Sequence, residues 1–427
     1  MSKITEKPRG GCALSGISAV LSAMEKVCPV FHAGPGCAFQ SIASEEGHGG
    51  GKQALYFSGA ACPSSNMLEK DVVFGGVDKL RTTIQGAIYI IDADAYFVLS
   101  GCTAGINGDD IEGVVKEFDK SPYPVYSITT PGFAGNTLVG YETVINTFIN
   151  KVFKKTKTQK NLVNILGIIP FHDPYWSGSL EELTRIFNAL GLEVNTFFTD
   201  RQGIKNVEKA GNAALNIIIS PILLKGAEKT LLEKFGIPSV RFNAIPIGPT
   251  ETSKFVRKVA DALKLDSKKV EAFVQNEEDY VYRYYEAGGG RLAWKRFAVV
   301  GDASYVIALT KFLADEYSFS PVLAIISEPL LRPTDKDIIE KELSHFDYAR
   351  PPQVYFESDL YEITKIISEN EDITLLIGSS DEREIALKQG ITFRSITFPI
   401  TDRLIFNKTY TGYKGALTLV EDLFDNL

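Results

Sequence analysis

No cysteine follows residue 102 in this 427-residue sequence, and no two of its five cysteines form a Cys-x-x-Cys pair. The first absence confines any thiol chemistry to the first quarter of the chain. The second argues against structural zinc, which usually takes its cysteines in closely spaced pairs. No run of Lys and Arg is long enough to track a phosphate backbone, and the net charge is −8. Nucleic acid and anionic membrane are therefore poor candidates for the main partner. The most apolar stretch, Ile88 to Gly101, is too short to span a bilayer and contains Asp92 and Asp94. The residues before Cys12 are polar and charged, without the apolar segment of a secretory signal. A soluble cytoplasmic protein is the expectation. There is no Gly-x-x-x-x-Gly-Lys-Ser/Thr loop and no full Gly-x-Gly-x-x-Gly fingerprint, so ATP hydrolysis is expected to belong to a separate protein. Gly301-Asp302, after an apolar run, is a weak candidate for touching a nucleotide.

What is present reads as a globular chain: 44% apolar and 23% charged residues. The length calls for two or three domains. Leu14, Ile17, Leu21 and Met24 recur at helical spacing and predict a helix over Ala13 to Lys26. A short apolar run, Cys28 to His32, ends in the turn cluster Ala33 to Cys37. Helices are predicted over Val77 to Ala87 and Ile111 to Phe118, and strands over Ala95 to Ser100 and Val125 to Ile128. The acidic set Asp109, Asp110 and Glu112 suits a helix N-terminus better than a carboxylate metal site.

After the Lys-rich stretch Lys151 to Lys160, the strand Leu162 to Ile169 opens a second strand–helix series. The polar helical stretch Ser267 to Tyr285 leads to Gly288-Gly289-Gly290. A third series opens at Arg296 to Asp302. Short apolar strands alternating with helices predict parallel sheets covered on both faces. The expected fold class is α/β, with three doubly wound Rossmann-like domains and mainly parallel sheets. The expected boundaries are 1–155, 156–294 and 295–427.

Cys12, Cys28, Cys37, Cys62 and Cys102 are too few and too unevenly placed for a disulfide scaffold. Cys37 and Cys102 follow apolar strands, at the end of a parallel sheet where ligands bind. Cys12 follows Gly11 at the mouth of a helix, where the dipole favours negative charge. Gly36 and Gly101 let the backbone approach a bulky inorganic group. Three thiolates from three turns suit an iron–sulfur cluster, but a cluster usually takes four or more protein ligands. A partner chain is the natural source of the rest. Cys28, inside an apolar run, reads as a core thiol; Cys62, near the motifs, is balanced between packing and an accessory role. Buried, inert thiols are the bland alternative for all five.

Four segments carry a family resemblance. They are Cys12-Ala-Leu-Ser-Gly, His32-Ala-Gly-Pro-Gly-Cys37, Glu69-Lys-Asp-Val-Val-Phe-Gly-Gly76 and Cys102-Thr-Ala-Gly-Ile-Asn-Gly-Asp-Asp110. In this order and spacing they resemble the nitrogenase component 1 superfamily. The likeness continues through Pro131-Gly-Phe-Ala-Gly135. Lys295 to Asp302, Phe398 to Arg403 and Gly412 to Ala416 are similar to the β-type subunit. The resemblance implies that Cys12, Cys37 and Cys102 ligate a P-cluster-like centre, with Gly11, Gly36, Gly101 and Gly132 lining it. That centre, [8Fe-7S] or a simpler [4Fe-4S], would be shared with an α-type subunit in an α2β2 heterotetramer. It would relay electrons from an ATP-dependent iron protein to an active site in the α-type chain. Gly75 and Gly76, with Gly108 to Asp110, would shape the docking and cluster-facing turns.

Two departures matter. Where β subunits of molybdenum nitrogenase carry a serine that can ligate the oxidised cluster, this chain has Gly132. It also lacks the mid-chain cysteine and later histidine that anchor the α-type cofactor. His172 reads as a loop residue and His345 as a surface one. His32 could hydrogen-bond near the cluster or be a buried structural residue. No catalytic residue is assigned to this chain. The implied substrate is dinitrogen or another hard-to-reduce molecule. The short segment before Cys12, without the long extension common in molybdenum β subunits, weighs against dinitrogen. The alternatives are a non-catalytic scaffold subunit for cofactor maturation, or a subunit of a tetrapyrrole or methylthio-alkane reductase.

Overall fold

The computed structural model describes residues 7, 9–40, 62–199, 201–288 and 295–424. Gly289 and Gly290 lie outside them, as does most of the segment before Arg9. Among the described residues, twelve strands form three sheets, and every strand pair in them is parallel. The first holds β1 (Val27–His32), β2 (Ala95–Ser100) and β3 (Val125–Ile128) in that order. The second holds β4 (Leu162–Leu166), β5 (Glu193–Asn195), β6 (Leu215–Ile219) and β7 (Ser239–Phe242), ordered β5-β4-β6-β7. The third holds β8 (Arg296–Gly301), β9 (Ser320–Ile326), β10 (Gln353–Phe356), β11 (Leu375–Gly378) and β12 (Thr392–Ser395), ordered β10-β9-β8-β11-β12.

The central strands are short and mostly apolar because both faces are covered, and their residues sort by the two-residue period. In the first sheet, Cys28, Val30, Tyr96 and Val98 face a small core with Leu80, Ile84 and Val114. Phe31, Phe97 and Leu99 face the other way, into a larger core with Leu14, Ile17, Tyr141 and Phe148. That larger core runs on without a break through Ile165, Ile217, Phe297 and Ile326, so the three sheets share one interior. The last helix, Gly412–Phe424, leaves the third sheet and packs on the helices Gly248–Leu263 and Ser267–Gly288.

Two glycines set the geometry at the N-terminal rim. Helices Ala13–Ser22 and Thr137–Thr147 cross with backbone nearly touching backbone. A Cβ on Gly16 would lie 2.4 Å from the Thr137 carbonyl oxygen, and one on Gly140 would lie 2.3 Å from that of Ala13. Only glycine permits that approach.

Some expected elements have other limits. The first helix stops at Ser22, and Lys26 takes a left-handed φ of 53° to turn into β1. The helix after β8 is α-helical for Ala303–Lys311 and widens into a π turn at Phe312–Glu316. The turn holding Cys37 is helical over residues 35–40.

Candidate metal-cluster site

Cys12, Cys37 and Cys102 come together on one rim of the first sheet. Cys12 is the N-cap of the helix Ala13–Ser22, and an isolated antiparallel bridge pairs it with Asn136. Cys102 opens the short helix Cys102–Asn107 directly after β2. Between them lies Gly132. A Cβ there would sit 3.0 Å from the Cys12 Sγ and 3.1 Å from the Cys102 Sγ. Burial, followed by the neighbouring thiols of Cys102 and Cys12, pushes the Cys37 thiol up. Three thiolates so placed repel one another, and a cationic metal centre between them reverses that penalty.

Cys12 is exposed, and Cys37 and Cys102 are half-buried. Large apolar side chains stand out from the same elements: Phe39 beyond Cys37, Ile106 on the Cys102 helix, and Phe133 beside Gly132, all more than 60% exposed. The rim is therefore open on its outer side and edged with apolar surface. Among the described residues, no three His, Cys, Asp or Glu side chains converge closely enough to hold a single metal ion. The donor set is all sulfur and partly exposed, a chemistry that suits iron–sulfur ligation.

The four candidate glycines differ in role. Gly132 keeps the space between two sulfurs clear. Gly36 faces open space. Gly101 is small for a packing reason, since a Cβ there would lie 2.4 Å from that of Ala33. Gly11 fixes the backbone before Cys12: its N–H donates to Thr137 Oγ1 at 3.0 Å, and its carbonyl accepts from the Thr137 N–H at 3.0 Å.

Behind the rim, His32 is buried. Its Nδ1 lies 3.0 Å from Ser65 Oγ and its Nε2 2.9 Å from Asp109 Oδ2. Burial lowers its pKa, against a weaker opposing pull from the hydrogen-bonded Asp109. Asp109 also accepts from the Gly76 N–H at 3.1 Å. Of the acidic trio expected at a helix N-terminus, Asp110 is the N-cap of Ile111–Lys116 and Glu112 lies in its first turn. Asp109 instead turns inward and joins β1 to the Gly75-Gly76 turn.

The remaining candidates lie elsewhere. Cys28 is in the core, its thiol pushed up by burial and then by nearby Cys62. Cys62 is half-buried, while Ala60 and Ala61 lie outside the described residues. His172 is in a loop with its ring 4.3 Å from that of Phe398, and His345 is exposed. Asp302 caps the helix Ala303–Lys311 through the Tyr305 N–H.

Fold and site define an α/β protein of three parallel sheets with a sulfur-lined rim on the first. The sequence profile of the family described as nitrogenase component 1 type oxidoreductase matches residues 12–427, and the chain belongs to that family. It is 26% identical over 421 residues to the nitrogenase iron-molybdenum cofactor biosynthesis protein NifE of Clostridium pasteurianum, covering 96% of this chain and 86% of that one. It is 26% identical to the nitrogenase vanadium-iron protein beta chain of Trichormus variabilis (83% and 80% covered). To the molybdenum-iron protein beta chain of Clostridium pasteurianum it is 24% identical (85% and 82% covered). The solved structure titled "Nitrogenase Cp1 at pH 6.5" shares the fold, with a TM-score of 0.80 at 21% identity over 99% of this chain and 92% of that one. The chain is thus a β-like member of its family. Among the described residues, no helix is long and apolar enough to cross a membrane.

Proposed function

We propose that this chain is the β-type subunit of a nitrogenase-like component 1 that relays electrons through an iron–sulfur centre shared with an α-type partner. The observation that carries this reading is the gathering of Cys12 and Cys102 around Gly132, with Cys37 near both thiols, on an open, apolar-edged rim. These thiolates would hold this chain's half of a P-cluster-like [8Fe-7S] or a [4Fe-4S] centre, and the partner would supply the other half. The centre, when bound, accepts and passes on electrons. The chain's own residues hold the sulfurs in place, and the surrounding apolar surface excludes water once the partner covers it. Gly132 offers no side-chain oxygen, so ligation by a hydroxyl at that position is not part of this account. The Gly75-Gly76 turn, fixed by Asp109, would lie at the docking face for an ATP-dependent iron protein. The active site would belong to the α-type partner, in an α2β2 heterotetramer of the cytoplasm.

The second reading, a scaffold on which a cofactor precursor matures, is favoured by the likeness to a cofactor biosynthesis protein along almost the whole chain. The two readings part in one experiment. The purified two-chain complex is mixed with its iron protein and ATP, and the iron–sulfur absorbance is followed. Repeated reduction and reoxidation with iron retained supports the relay. Loss of iron–sulfur cargo to a cofactor-free acceptor protein supports the scaffold.

A further inference from the structure

In a doubly wound sheet, ligands sit beyond the carboxyl ends of the strands where the strand order reverses. In the third sheet that reversal falls between β8 and β11. Here the crevice is filled by the chain's own Arg9. Its side chain is only 3% exposed and forms an ion pair with Glu382, which is fully buried. The same guanidinium donates to Ser379 Oγ at 3.2 Å and Ser327 Oγ at 3.5 Å, just beyond β11 and β9. Glu382 is itself held by the Ser379 N–H and hydroxyl, both at 2.8 Å. Outside this pair, Lys7 forms an ion pair with Asp381. Asp302 and Glu328 line the same cavity as Arg9. The Gly301-Asp302 turn thus opens onto a crevice that holds the chain's own guanidinium.

Two residues, Gly10 and Gly11, separate Arg9 from Cys12, three backbone steps that reach about 10 Å at full extension. Gly10 takes a left-handed φ of 80° to make the bend, and Gly11 is pinned on both sides to Thr137. The strap is short and held along its length. One end is locked in the third sheet and the other delivers a thiol to the rim of the first.

We infer that the Arg9–Glu382 pair is a positioning device for Cys12: the third unit's ligand crevice anchors, across 373 residues of sequence, the strap that carries a cluster thiol. This rests on the reading of Cys12 as a ligand. The alternative role for Arg9 is glue between units, with Cys12 held entirely by Asn136 and Thr137.

The test uses the full chain in two states. Without cluster, amide exchange is followed in the peptide covering residues 9–17 for wild type, Arg9→Lys, Arg9→Met and the Arg9→Met/Glu382→Leu double variant. The double variant removes the lock without leaving a buried unpaired charge. Leu376→Ala, in the third sheet, serves as a control that lowers stability without touching the strap. The lock predicts strap exchange about tenfold faster in Arg9→Met and the double variant, with partial rescue by Lys and no local change in the control. With the partner and cluster present, iron loss to a chelator should speed up in the same order. Strap amides protected as in wild type in the double variant would overturn the inference, as would equal loosening in Leu376→Ala. If wild type binds no iron, the cluster reading fails, while the exchange data still decide the lock.

Discussion

His32 and Asp109 meet through a 2.9 Å contact between Nε2 and Oδ2, joining the end of β1 to the turn that follows the Cys102 helix. His32 also accepts the Gly101 N–H with its backbone carbonyl at 2.8 Å. One buried residue thus touches the turn before a proposed ligand and, through Asp109, the Gly76 turn on the outer face. Replacing Asp109 by Ala removes the partner of both His32 and Gly76 and should cost about 1–3 kcal/mol in the cluster-free chain. Chemical denaturation checks this, and a change within error would remove Asp109 from the architecture of the rim.

The same pair gives a pH dependence. Burial is the largest effect on His32 and lowers its folded pKa below the ordinary 6.5. A depressed base is neutral in both folded and unfolded states above that value. As pH falls below 6.5, the unfolded chain takes up the proton first and native stability drops, until the folded pKa is passed. Melting temperature of the cluster-free chain should therefore fall between pH 7 and 5, and less steeply in His32→Gln. Equal slopes would assign the acid sensitivity to other groups.

Gly132 sits where any Cβ meets two sulfurs. Gly132→Ala should destabilise the cluster-free chain by about 1–3 kcal/mol and lower the iron bound per complex. Iron analysis alongside a thermal melt separates the two effects. Full iron at wild-type stability would mean that the rim relaxes around a methyl group.

The crossing of the two N-terminal helices depends on Gly16. Gly16→Ala drives a methyl group into the Thr137 backbone and should cost about 3 kcal/mol, with Cys12 and Gly132 displaced together. By contrast, Cys28→Ala removes a core sulfur and should cost about 1–2 kcal/mol with iron content unchanged. A fall in iron with Cys28→Ala would give that thiol a part it lacks in this account.

Local pattern made much of this legible. The β2 and β3 strands and the helix starts at Val77 and Ile111 follow from apolar runs and short-range punctuation, which act within a few residues. The three rim cysteines stood out because each follows a glycine at a predicted strand end or helix mouth. What sequence reading missed depends on distance along the chain. The Arg9–Glu382 lock has no local signature, because its partners are 373 residues apart. Asp109 looked like a cap because a carboxylate before a helix usually is one, and only the fold turns it toward His32. The strands β7 and β12 were not expected, because half-buried edge strands such as Ser239–Phe242 lack the fully apolar run that marks the central ones. The length of the first helix was overread because Met24 continues its apolar spacing beyond the C-cap at Ala23.

The central claim is that three thiolates of this chain hold half of a centre completed by a partner. It is tested by co-purifying the chain anaerobically with its α-type partner and measuring iron, sulfide and the EPR spectra of the dithionite-reduced and oxidised complex. The account predicts an iron–sulfur signal that requires both chains and disappears in Cys37→Ala while the two chains still associate. A stable two-chain complex with no iron, or one whose signal survives the loss of Cys37, would contradict it.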